Sequence, residues 1–103
     1  MAEAGRQMTA SGGCANCHNV AGFVGAQVPT TAGINLAKTA DRLRYPYYTR
    51  WLHNPPRVWP GTVMPRYFDK ARGPFEFYEH DAAKQMRALW EYMRKRDAMA
   101  PPQ

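Results

Sequence analysis

The sequence predicts an all-α domain of three to five short helices and loops, wrapped around a bound group that does not come from the chain itself. Three observations lead there. The chain has 103 residues, enough for one domain and no second, so 1–103 is read as a single unit. Its 8 Gly and 9 Pro make much of it loop, nothing reads as a β-strand, and the apolar positions that repeat do so at helical spacing. Both cysteines fall within five residues, Cys14-Ala15-Asn16-Cys17-His18, next to a histidine.

Taken in order, Glu3 to Ser11 suits a short helix with Ala4, Met8 and Ser11 on one side, and Gly12-Gly13 ends it. The pentapeptide follows at once. Positions three and four apart share a helix face, so Cys14 aligns with both Cys17 and His18. This is the spacing of a c-type haem attachment site: two thiols for the vinyl groups and an imidazole for the iron. The competing readings are a redox dithiol and half of a zinc site. Ser11-Gly12-Gly13 is not the strand that a thioredoxin-like dithiol follows. Zinc wants separated ligand pairs, and only the distant His53 and His80 remain as candidates.

Asn19 to Gly33 is small and apolar with frequent glycines, and reads as an irregular loop along the haem edge in which Phe23, Val24 and Val28 are packing residues. Asn35 to Leu43 holds a turn or short helix. Pro46 to His53 is a firmer helix, with Pro46 at its first position and Asn54-Pro55-Pro56 as its stop. Tyr48 with Leu52, and Tyr47 with Trp51, offer aromatic faces to the ring or to the core. Pro55 to Pro65 is too rich in proline for a helix or a central strand and is expected to be an ordered loop. Arg66 to Tyr78 says little beyond a helical turn at its start and a break at Arg72-Gly73-Pro74. Asp81 is the natural N-cap of the best helix, which runs to about Arg96. Ala82, Met86, Leu89, Trp90 and Met93 form its apolar stripe, Lys84, Arg87, Glu91 and Lys95 its wet side, and Glu91 with Lys95 a favourable pair. Met99 to Gln103 reads as a frayed tail.

The formal charge is +6, from Lys+Arg 14 against Asp+Glu 8. Two ionised haem propionates would lower it to about +4. The cations are scattered from Arg6 to Arg96, which argues against a nucleic-acid surface and leaves either a solvated basic face or a docking face for an acidic redox partner. No window is apolar for long enough to span a bilayer, and Met1-Ala2-Glu3-Ala4-Gly5 lacks the basic and apolar segments of a signal. The expectation is a chain whose signal has been removed, or a domain of a longer protein.

A haem held by His18 leaves one axial position, and its occupant separates a carrier from a catalyst. Met86 and Met93 belong to the stripe, Met8 is close in sequence to the attachment site, and Met99 lies in the tail. Met64 sits between Val63 and Pro65 in a proline-stiffened loop that holds a thioether at little entropic cost. It is the leading candidate, with His53 and His80 as alternatives.

Together these residues resemble a class I c-type cytochrome, over most of the chain. Gly5-Arg6-Gln7-Met8-Thr9 leads into Cys14 to His18 as the family's first helix does, and Gly33-Ile34-Asn35-Leu36 takes the place of its Gly-Pro-x-Leu segment. Trp51 to Pro55 is similar to Trp-Leu-x-Asn-Pro, Pro60 to Pro65 to Pro-Gly-Thr-x-Met-Pro, and Leu89 to Tyr92 to the closing Leu-x-x-Tyr, whose partner is the first helix near Gly5. The resemblance implies the cytochrome c fold around one covalent haem c with its iron, His18 and Met64 as axial ligands, and attachment in an extracytoplasmic compartment such as the periplasm. It implies that Trp59 donates its indole N–H to a haem propionate. The chain departs from the pattern at Ile34, where proline is usual and whose carbonyl is expected to take the Nδ1 proton of His18. Thr9 replaces a bulky aromatic, which predicts looser packing at the helix crossing, and the Arg66 to His80 connection is long and has no assigned role.

The function expected is that of a monohaem electron carrier between redox proteins, without enzymatic turnover. The alternatives are an electron-accepting domain of a larger oxidoreductase, and a haem sensor or peroxidase with a labile sixth ligand.

Overall fold

Gly5 decides how the two ends of the chain meet. In the computed structural model, which describes residues 1–11, 14, 18, 20, 35–62, 64, 66–69 and 71–99, helix α1 spans Ala2–Ser11 and helix α5 spans Ala82–Met93. A Cβ placed on Gly5 would collide with the Ala88 carbonyl oxygen and lie 2.7 Å from the Tyr92 Cβ, so the two backbones approach as only glycine permits. Met8 and Thr9 are buried beside it. Thr9 does not loosen the crossing as its size predicts, because its hydroxyl donates to the Gly5 carbonyl at 2.8 Å and the residue is fully enclosed.

Helix α5 forms where the sequence places it. The Asp81 carboxylate accepts from the Lys84 N–H at 3.0 Å, satisfying one of the first-turn donors. The predicted stripe is buried, but so are Gln85, Ala88 and Tyr92, since neighbours press on this helix from several sides. Glu91 pairs with Arg87 and Arg94, each at 3.0 Å, and not with Lys95 as its spacing predicts. The helix stops at Met93, so Lys95 has left the regular spiral. A single 3-10 turn at Arg96–Ala98 then brings Met99 into the core, 7 % exposed, where the sequence predicts a loose tail. An ion pair of 2.8 Å between Arg96 and Asp41 helps to hold that turn.

Between these ends, a 3-10 turn at Leu36–Lys38 runs into helix α2, Thr39–Arg42, as expected of 35–43. Helix α3 spans Tyr45–His53, starting one residue ahead of Pro46. Its Tyr48 is consumed by the core: the hydroxyl donates to the Met86 carbonyl at 2.7 Å, and the ring lies 4.8 Å from that of Trp90. The expectation of no helix in 55–65 fails at its start, where Pro55–Val58 makes the one-turn helix α4. Two prolines suit a first turn, because their fixed φ is helical and their missing N–H groups would have no partner there.

The long connection contains no helical turn at its start. Asp69 and Arg72 exchange both backbone hydrogen bonds at 2.9 Å, Gly73 donates to His80 at 2.8 Å, and Ala82 donates to Ala71 at 2.9 Å, so the chain leaves and returns on itself. At its tip Tyr78, Glu79 and His80 have φ of 55°, 55° and 63°, the left-handed region that costs each non-glycine residue about 1–2 kcal/mol. Gln85, fully buried on α5, offsets this by donating to the carbonyls of Phe75 and Phe77 at 2.7 and 2.9 Å. Among the described residues there is no strand, only two isolated bridges.

Gly5→Ala should lower stability by about 1–3 kcal/mol, the usual cost of overpacking, seen as a lower urea midpoint with unchanged slope. Burial pushes the Tyr92 hydroxyl up to about 12 and the Tyr48 hydroxyl well above the ordinary 10. Both raised values favour the neutral, folded form, so their contribution is complete below pH 10 and is lost as pH rises toward and past 12. Unfolding free energy, followed by urea titration at a series of pH values, should be level to about pH 10 and then fall as the tyrosines of the unfolded chain ionise first.

Candidate haem site

The His18 amide donates to the Cys14 carbonyl at 2.9 Å, the i to i+4 bond of a helical turn. That bond brings the backbones of Cys14 and His18 together, and both residues are half-buried. The thiol lies within electrostatic reach of the buried Tyr48, whose hydroxyl is raised by burial first, then by Tyr45 and Cys14. Cys17, the Ile34 carbonyl and the packing residues Phe23, Val24 and Val28 lie outside the described residues.

Met64 lies beyond the turn that follows α4. Thr62 donates its amide to the Trp59 carbonyl at 3.0 Å, closing a turn over Pro60 and Gly61. The Thr62 hydroxyl then accepts the Met64 amide at 3.2 Å. The Met64 sulfur accepts the indole N–H of Trp51, in the last turn of α3, with Nε1 and Sδ 3.0 Å apart. A thioether has two lone pairs, so the bond to Trp51 does not exhaust the sulfur as a donor. The remaining methionines go elsewhere. Met8, Met86, Met93 and Met99 are core residues between 0 % and 7 % exposed, and Met1 is exposed at the start of the chain.

Of the alternatives to Met64, His80 holds its Nδ1 3.1 Å from the Gly73 carbonyl oxygen. His53 gives its backbone carbonyl to the Arg66 Nε–H at 3.0 Å, a bond that does not involve its imidazole. Trp59 is 66 % exposed, with its indole nitrogen beside Gly61. The contact between Trp51 and Met64 is the feature that sequence reasoning missed. The rule that an indole N–H seeks an acceptor when enclosed points to it, had the rule been applied to Trp51 as well as to Trp59.

The cytochrome c family model matches residues 2–97. The chain belongs to the cytochrome c family. Its helical fold, strand-free among the described residues, agrees with that membership, and like the family this cytochrome c binds covalent haem c with its iron. No curated protein matches the chain closely. The residues fit the group: a thiol and an imidazole share one turn, and a soft sulfur stands ready in a loop whose backbone and side chain are both held. Membership in this family points to electron transfer. No helix among the described residues is long and apolar enough to cross a membrane.

Proposed function

We propose that this cytochrome c is a one-electron carrier with His18 and Met64 as its axial ligands, acting between redox proteins in an extracytoplasmic compartment. The observation that carries this reading is the hydrogen bond from Trp51 to the Met64 sulfur. It fixes the thioether before any metal is considered, and a fixed soft donor closes the iron against substrates. Cys14 and Cys17 would hold the haem as thioethers, and Trp59 would turn its indole N–H to a propionate. When bound, the haem supplies an iron that gains and loses one electron. The chain's own residues do the remainder. His18 and Met64 would hold the iron, and the Trp51 N–H would draw electron density from the sulfur, so that the thioether would favour the ferrous state.

The cationic surface suits a partner with an acidic face. Arg42, Arg44, Arg50, Arg57 and Arg66 are exposed along α2, α3, α4 and the methionine loop, and the formal charge of +6 steers encounter at low ionic strength. With both axial positions filled, no turnover is expected at the iron.

In the haem-loaded protein, Met64→Ala should abolish the weak near-infrared sulfur-to-iron band of the oxidised form and admit carbon monoxide to the reduced form. The potential should fall by on the order of 0.1 V, within the ≈ 0.8 V that axial ligands command. An unchanged potential with no carbon monoxide binding would sink the ligand assignment. Trp51→Phe keeps the ring but loses the N–H. Its potential should fall by about 20–50 mV, less than one tenfold step in the one-electron equilibrium, with the near-infrared band retained but shifted.

A further inference from the structure

The last turn of α3 grips the methionine loop twice, in one register. Trp51 reaches the Met64 sulfur, and two residues further along each segment the His53 carbonyl receives the Arg66 Nε–H at 3.0 Å. The His53 carbonyl is one of the C-terminal groups that no residue of its own helix can satisfy, and it sits at the negative end of the helix. A guanidinium is a fitting cap for it. The same Nε–H is shared with the Phe68 carbonyl at 3.1 Å, and an Nη nitrogen of Arg66 pairs with Asp69 at 3.2 Å. Phe68 is 2 % exposed, so the chain beyond Arg66 is anchored in the core. Arg66 thus ties the exit of the methionine loop to the helix whose side chain holds the sulfur.

We propose that Arg66 is a positioning residue for Met64, a clasp that sets how readily the methionine releases the iron and admits an added ligand. This rests on the reading of Met64 as the axial ligand. Arg66 acts through the backbone on both sides of itself, at the carbonyls of His53 and Phe68. Its two roles separate cleanly. The Nε–H bonds to His53 and Phe68 restrain the loop, whereas the pair with Asp69, half to three-quarters exposed on its two members, is worth little in water.

The test uses the oxidised, haem-loaded protein titrated with imidazole, which competes with the thioether, and follows loss of the near-infrared sulfur-to-iron band. Arg66→Ala should bind imidazole about tenfold more tightly than the parent, the scale set by hydrogen bonds from a charged donor. Arg66→Lys, which keeps the charge and one donor but loses the planar fork, should fall between them. Asp69→Asn should stay within about twofold of the parent, as expected when only an exposed ion pair is lost. Unchanged imidazole affinity in Arg66→Ala overturns the clasp, whether or not its thermal midpoint drops, because a merely structural arginine would move the midpoint alone. An Asp69→Asn variant as altered as Arg66→Ala overturns it too, by assigning the effect to the ion pair. A parent protein that shows no near-infrared band at all removes the ligand reading first, and the clasp with it.

Discussion

Contact between Gly5 and the Ala88 carbonyl fixes the crossing of the first and last helices, and the rest of the molecule is arranged from that crossing. With α1 seated on one side of α5, the other sides of α5 are free to take α3 through Tyr48 and Trp90, and the long connection through Gln85. Cys14 follows the end of α1 within three residues, and the methionine loop follows α3 by way of α4. Both ends are therefore referred to one buried helix. A side chain at position 5 would shift α1 against α5, and with it the turn bearing Cys14 and His18, though it touches neither.

The geometry around Met64 shows how a loop without regular structure is held. Its amide is taken by Thr62, its sulfur by Trp51, and the chain after it by Arg66 on the end of α3. None of these bonds is strong alone. Each removes a different freedom, respectively of the backbone, the side chain and the exit of the loop. For the proposed carrier this would matter, since an axial ligand that does not move between oxidation states would add little to the reorganisation that each transfer requires.

Much of this was legible in the residues because it rests on local chemistry. Asp81 announces its helix as a cap, the stripe of Met86, Leu89 and Met93 is periodic, and the five residues from Cys14 to His18 carry their own spacing. What failed depends on partners distant in sequence. Met99 looks like tail until Arg96 and its 3-10 turn bring it back. Gln85 looks like a surface residue until the carbonyls of Phe75 and Phe77 are found above it, ten and eight positions earlier. Pro55 and Pro56 were read as breakers, although at a helix start the same rigid φ and missing N–H are no handicap. The grip of α3 on Met64 was hidden for another reason: Trp51 and Met64 belong to separate elements, and nothing in a sequence says that a sulfur and an indole will meet.

The returning connection has a consequence for a thioether that has let go. Because Ala82 donates to Ala71 and Gly73 to His80, the excursion from 74 to 79 is pinched off by its own stem. Met64 is then tethered to α5 from Ala71, and not from the far end of the connection. A shorter tether keeps the sulfur at a higher effective concentration near its place of attachment, and the closure entropy of the longer chain is already met by the stem. On the proposed ligation, recapture would be an intramolecular event confined to a small volume, and an exogenous ligand would have to outcompete a donor that never diffuses away.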